Sequence, residues 1–252
     1  MNMVNIDYIN HKSSLELSTE ERLSQCLASC PLPEDQILEN LGLFLSSKNL
    51  SRILFMDHIY KQIVDVPGIV LDLGTRWGHN LVLYSALRGI YEPFHRHRKL
   101  VGFDTFEGFP NVDTADGNAT FMKPGGLGVT QNYAEYLNTL MEIQEELNPL
   151  SHIKKFEVVS GDITATLPNY IDNNPETIIA LVYFDLNLYQ PTKSALETIK
   201  DRLVQGSILA FDELNDHDAP GETLAVLETF GLNNIELKRF PYASRSTYFV
   251  VK

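Results

Sequence analysis

The sequence predicts a doubly wound α/β sheet, mostly parallel, with an antiparallel C-terminal end and a helical cap in front of it. Three observations carry this. From Pro67 to Phe230 short apolar runs alternate with stretches of helical period, the pattern of βα units in a parallel sheet. The first run, Ile69–Leu73, ends in a turn with Gly74 and Gly78 before such a stretch; that is a strand, a glycine turn and a helix start. The last two runs are joined by a short connection, which suits an antiparallel pair.

The elements follow in order. Residues 1–14 read as loose. Leu15 to Cys30 carries Leu15, Leu17, Leu23 and Leu27 at helical spacing; Ser18-Thr-Glu-Glu21 suits its start, and Pro31 and Pro33 stop it. Asp35 to about Val64 reads as one or two helices, with Asn49-Leu-Ser51 as the break. This gives a helical cap over residues 1–66 and a sheet domain over 67–252. Strand Ile69–Leu73, helix Leu81–Tyr91 and strand Leu100–Phe103 come next. Between the last two lies His95-Arg-His-Arg98, a solvated turn or an anion site. A long glycine-containing loop runs to Val129, and loops of that length in a compact domain are commonly functional lids. Helix Thr130–Leu147, strand Lys155–Val159, helix Ile163–Ile171 and strand Ile178–Phe184 follow. Helix Pro191–Leu203, strand Gly206–Phe211 and helix Pro220–Phe230 complete the alternation, and strands near Ile235–Arg239 and Thr247–Val251 close the chain.

Composition narrows the function. The chain has 252 residues, a formal net charge of −13 and 44% hydrophobic residues. Such an acidic chain is poorly suited to nucleic acid or an anionic membrane surface. No run approaches the roughly 18 apolar residues of a membrane span, and the polar start lacks a signal core, so a cytoplasmic protein is expected. Cys26 and Cys30 read as reduced thiols, since two ligands do not make a structural zinc site.

Ligands of doubly wound sheets bind at the carboxyl ends of the strands, and acids recur there. The first strand ends in Asp72 and Gly74, the second in Asp104. Asp162 follows the third, Asp185 the fourth and Asp212-Glu213 the fifth. A single such acid is commonly a helix cap; five at one edge argue for a site. The spacing Asp-Leu-Gly-x-x-x-Gly differs from the dinucleotide pattern G-x-G-x-x-G, which argues against a nicotinamide-dependent oxidoreductase. An acid after the second strand can accept both hydroxyls of a cofactor ribose, and Asp162 can accept from an adenine amino group. Asp185, Asp212 and Glu213 follow adjacent strands; three such carboxylates repel unless a cation or proton lies among them. Oxygen ligands suit a hard ion such as Mg2+, or the three are two caps and a core-edge acid.

With these residues in view, the sequence resembles the macrocin O-methyltransferase family of metal-assisted sugar O-methyltransferases that use S-adenosylmethionine. The carriers are Pro67-Gly-Ile-Val-Leu-Asp-Leu-Gly-Thr-Arg-Trp-Gly78, Asp104-Thr-Phe-Glu-Gly-Phe-Pro110, Gly161-Asp-Ile-Thr-Ala-Thr-Leu-Pro168, Tyr183-Phe-Asp-Leu-Asn-Leu-Tyr-Gln-Pro-Thr192 and Gly206-Ser-Ile-Leu-Ala-Phe-Asp-Glu213. The resemblance implies a Rossmann-like class I methyltransferase fold. It implies a cofactor seat at Asp72, Gly74, Thr75, Gly78, Asp104, Thr105, Phe106, Gly161, Asp162, Ile163 and Asp185. It implies metal ligands at Asp185, Asp212 and Glu213, with Asp185 taking the proton of a sugar hydroxyl. Glu213 stands where the family usually has Asp, and Asp72-Leu73 where it more often has Glu-Cys. Arg76, Lys123, His217 and Arg245 are candidates to meet the substrate, each otherwise a surface charge. A homodimer through the N-terminal helices is also expected. A phenolic or catechol acceptor would use the same carboxylates, and a degenerate fold serving as a binding module is the competitor of another class.

Overall fold

The computed structural model describes residues 13–243 and 245–252; the loose start expected over residues 1–14 lies almost wholly outside them. Helix α1 (Ser14–Ala28) begins four residues before the Ser18 expected from the sequence. Ser13 and Glu16 form a reciprocal capping box there, and this pairing satisfies two otherwise unbonded N–H groups. A short helix α2 (Glu34–Ile37) runs into a 3-10 turn, Leu38–Phe44. Helix α3 (Ser47–Gln62) is capped by Ser46, so the break falls at Leu45-Ser46 and Asn49-Leu-Ser51 lies inside the helix.

The sheet follows. Strand β1 (Ile69–Leu73) leads to α4 (His79–Tyr91), β2 (Leu100–Asp104), α5 (Tyr133–Glu146), β3 (Phe156–Ser160) and α6 (Ile163–Asn173). Strand β4 (Ile179–Phe184), α7 (Tyr189–Ile199), β5 (Leu203–Phe211), α8 (Gly221–Phe230), β6 (Lys238–Arg239) and β7 (Thr247–Val250) complete it. The strand order is β3-β2-β1-β4-β5-β7-β6. All pairs from β3 to β5 are parallel, and β7 pairs antiparallel with β5 and β6, as expected. One difference is that β5 starts at Leu203, inside the helix expected to run that far.

Side-chain alternation along the strands builds two cores. Val70, Leu100, Leu181, Ile208 and Ala210 face one layer with α3, α4 and α5; Leu71, Leu73, Val101, Phe103, Val182 and Phe211 face the other with α6, α7 and α8. Helix α3 is part of the first core through Phe55, Met56, Ile59 and Tyr60, all fully buried. Helix α1 buries nothing; Leu15 and Leu38 are 72% and 77% exposed, and Leu41, Leu43 and Leu45 are exposed beside them.

The His95-Arg-His-Arg98 cluster divides. Arg96 and His97 are exposed, while the Arg98 guanidinium is fully buried. It donates to Glu92 and to the carbonyls of Ile63, Val66 and Gly68, tying the α3–β1 connection to the sheet. Cys26 is exposed and Cys30 half-buried, both as free thiols. No helix among the described residues is long and apolar enough to cross a membrane.

Candidate active site

The order β2-β1-β4 reverses direction at β1, and the crevice there lies at the carboxyl ends of the strands. The space between its walls, counted out to open solvent, is about 680 Å3. Gly74, Asp104, Gly161, Asp162, Ile163 and Asp185 line it from four successive strands, together with Arg76 and Thr105. Phe109, Pro110, Gly126 and Leu127 close one side from the long loop.

Gly74 holds the floor. Its φ is +87°, and a Cβ there would lie 2.1 Å from the Asp185 carbonyl oxygen, so no side chain fits. The turn after it is shaped by a carboxylate. Asp104 accepts from the Arg76 N–H at 2.7 Å and the Phe106 N–H at 2.6 Å. Both donor residues have positive φ, 49° and 57°, a conformation costing about 1–2 kcal/mol for a side chain with Cβ. Two charge-assisted bonds offset that cost. Burial raises the Asp104 pKa, and the two N–H bonds oppose the rise.

Asp72 is fully buried. One oxygen accepts from the Asn80 amide at 3.3 Å; the other, Oδ2, has no partner. Burial pushes its pKa up to about 6. Asp72, Thr75, Gly78 and Phe106, all expected in the cofactor seat, are not among the residues lining the cavity: Asp72 is buried behind it, Thr75 bonds the Asp72 carbonyl, Gly78 packs beneath Leu137, and Phe106 joins the first core. Asp162 is the N-cap of α6, accepting from the Thr164 N–H with Oδ1.

The acidic trio divides in two. Asp185 Oδ2 and Asp212 Oδ1 are bridged by Arg52 of α3, whose Nη2 and Nη1 stand at 3.2 and 3.3 Å. Tyr183 donates to the same Asp212 oxygen at 2.7 Å. Glu213 turns away to Arg245, which also pairs with Asp216 at 3.3 Å. No group of three His, Cys, Asp or Glu side chains among the described residues is arranged to hold a metal ion. The convergence expected of Asp185, Asp212 and Glu213 is therefore replaced by two arginine pairings. Burial, with repulsion from Asp212, pushes the Asp185 pKa up to about 7 despite Arg52. Burial likewise pushes Glu213 up to about 8, against the pull of Arg245.

The loops around the site are braced by further acids. Glu222 of α8, fully buried, accepts from the N–H groups of Leu186 and Asn187 at 2.9 and 3.2 Å. Asp116, in a 3-10 turn of the long loop, accepts from the Tyr189 N–H at 2.6 Å and so ties that loop to the start of α7. Of the four substrate candidates, Arg76 lines the cavity and Arg245 lies in the Glu213 pairing, while Lys123 and His217 are exposed. Arg52, Asn80, Tyr183 and Glu222 were not singled out from sequence. Arg52 sits in an amphipathic helix without a motif around it; for Tyr183, its place two residues before Asp185 is the one local signal.

This strand order, parallel but for its C-terminal end, with a crevice at the switch point, is the Rossmann-like methyltransferase fold. No protein-family profile and no curated protein sequence matches the chain. Solved structures do. The crystal structure of CalS11, calicheamicin methyltransferase, superposes with a TM-score of 0.93 at 39% identity, covering 96% of this chain and 94% of that one. The apo structure of CalS11, described as TDP-rhamnose 3'-O-methyltransferase, gives 0.85 at 37% identity, covering 96% of each. The O-methyltransferase NovP shares the fold, with a TM-score of 0.61 at 17% identity over 96% of this chain and all of that one. The chain belongs to the family of CalS11, the macrocin O-methyltransferase (TylF-type) family.

Proposed function

We propose that the chain transfers a methyl group from S-adenosylmethionine to a sugar hydroxyl, with a nucleotide-linked deoxysugar as the acceptor class. The observation that carries this is the single cavity in which Gly74, Asp104, Asp162 and Asp185 meet. The substrate class rests on the description of CalS11 as acting on TDP-rhamnose.

The residues suit the cofactor. Asp104 retains acceptor capacity for two ribose hydroxyls beside its two N–H bonds. The unpartnered, buried Asp72 Oδ2 suits an α-ammonium group, which is the donor it lacks. Gly161, Asp162 and Ile163 supply the adenine side. When bound, S-adenosylmethionine supplies a methyl group on a sulfonium that leaves as a thioether while the C–O bond forms. The acidic wall attracts that cation. Asp185 takes the acceptor's proton onto a carboxylate oxygen, and its place beside Gly74 aligns the hydroxyl for in-line attack. A divalent ion such as Mg2+ requires Asp185, Asp212 and Glu213 turned onto one point. With Arg52 and Arg245 holding them, no step is assigned to it.

Residues 1–66 act as a cap that shapes the acceptor side through α3. The exposed leucines of α1 and of the turn after α2 form the contact of a homodimer, read as twice the 28.5 kDa chain mass by light scattering.

The test is incubation with S-adenosylmethionine and a panel of nucleotide deoxysugars, followed by mass spectrometry. A gain of one methylene on the sugar, lost in Asp185→Asn, is expected. Turnover of a catechol but of no nucleotide sugar would overturn the acceptor class.

A further inference from the structure

We propose that Arg52 is a built-in counter-ion of the Asp185–Asp212 pair and competes with a divalent cation for those two carboxylates. This rests on the reading of that pair as the acceptor end of a methyltransferase site.

The geometry is specific. All three guanidinium nitrogens are engaged: Nη2 with Asp185, Nη1 with Asp212, and Nε with the Asn80 amide oxygen at 3.1 Å. The group also lies 5.7 Å from the centre of the Tyr183 ring, within cation–π range. Asp185 and Asp212 follow the paired residues Phe184 and Phe211 at the ends of adjacent parallel strands, so their carboxylates meet across one strand spacing. Two carboxylates so close repel unless a cation or a proton lies between them, and here the chain supplies the cation.

A metal ion using the same oxygens would lie within a few ångströms of the guanidinium, cation against cation. The two occupants therefore exclude each other. Helix α3 cannot retreat readily, because Phe55, Met56, Ile59 and Tyr60 fix it in the core. The Arg52 side chain can: it is 32% exposed and ends a long rotatable stem. Its swing toward solvent is the motion that opens the pair. Glu213, turned to Arg245, is a third donor only after a similar exchange.

The experiment is Mn2+ binding to the full chain, read from the paramagnetic resonance of the free aqua ion. Arg52→Gln should bind Mn2+ at least tenfold more tightly than wild type. Arg52→Lys keeps the charge but loses the fork and the Nε–Asn80 bond, so its affinity should fall between those of wild type and Arg52→Gln. Asn80→Ala loosens the guanidinium without removing it and should tighten binding severalfold, which keeps the idea testable if Arg52→Gln does not fold. Binding by Arg52→Gln or Asn80→Ala no tighter than wild type, or a Lys variant as tight as the Gln variant, would overturn the competition. Calorimetry with S-adenosylhomocysteine on the same samples separates the two readings. Failure of wild type to bind it strikes at the methyltransferase reading, whereas unchanged Mn2+ affinities strike at Arg52 alone.

Discussion

Replacing Asp104 by Asn tests how the cofactor seat is built. The carboxylate receives two backbone N–H groups, from Arg76 at 2.7 Å and Phe106 at 2.6 Å. The amide keeps one acceptor oxygen and puts an NH2 group where the other was. One of the two N–H groups then faces a donor, and a residue at positive φ loses the bond that holds it there. Hydrogen bonds to charged groups contribute about 1.5–3 kcal/mol; with Asp104 only half-buried, a loss of about 2 kcal/mol is expected. For a chain of this size that corresponds to a fall in Tm of about 4–8 °C without ligand. The amide also offers one acceptor to a ribose diol that the carboxylate holds with two. Affinity for S-adenosylhomocysteine should fall about 10–100-fold, at about 1.4 kcal/mol per factor of ten. Differential scanning calorimetry and isothermal titration on one preparation give both numbers. A lower Tm with unchanged affinity would make Asp104 a brace for the turn and refute the ribose role. Weaker binding with an unchanged Tm would refute the bracing.

Three other outcomes follow from the geometry of the site. Asp185 must be ionised to accept a proton, so with its pKa raised to about 7 the transfer rate should climb as pH rises through neutrality, and a flat profile from pH 5.5 to 8.5 would remove it as the base. Stability should run the other way. Asp72, Asp185 and Glu213 all have pKa values raised above the ordinary carboxylate range, to about 6, 7 and 8. These carboxyls hold more protons in the folded chain than in the unfolded one between about pH 4 and 8, while burial lowers the pKa of His58, His79 and His95 and opposes them near about pH 6, so Tm should decline most clearly from about pH 7 to 8. Gly74→Ala places a Cβ 2.1 Å from the Asp185 carbonyl at a φ of +87°. It should destabilise the fold by more than about 2 kcal/mol, with loss of transfer activity, in a urea titration.

Much of the fold is legible in the sequence because the sheet is buried on both faces. Runs such as Ile69–Leu73 and Ile178–Phe184 cannot be solvated strands, and each sits within a residue of its expected bounds. The errors fall where short-range chemistry decides. The α1 start depended on a Ser13–Glu16 pairing, and the α7–β5 boundary on a brief 3-10 turn at Lys200–Arg202. At the site, the acids at the strand ends were legible because topology alone collects them on one edge. Their partners were not. Arg52 reaches Asp212 across 160 positions of sequence and Asp185 across 133, and no local pattern encodes such a meeting. The charge pattern asked for a cation among the acids without saying whether a metal or an arginine would bring it.

The contact between Gly74 and the Asp185 carbonyl has a consequence for how such an enzyme changes its preference. The first strand's turn and the fourth strand's loop touch backbone to backbone, and Glu222 clamps the latter from behind through Leu186 and Asn187. The proposed donor and acceptor ends thus share one bracket made largely of main chain. Side-chain substitution does little to lengthen or shorten that bracket, so on the proposed reading the spacing between donor and acceptor ends is set by main chain. Diversification toward new acceptors falls to the pieces outside the bracket, the α3 helix and the 106–129 loop, provided that Arg52 stays on Asp185 and the Phe106 N–H on Asp104.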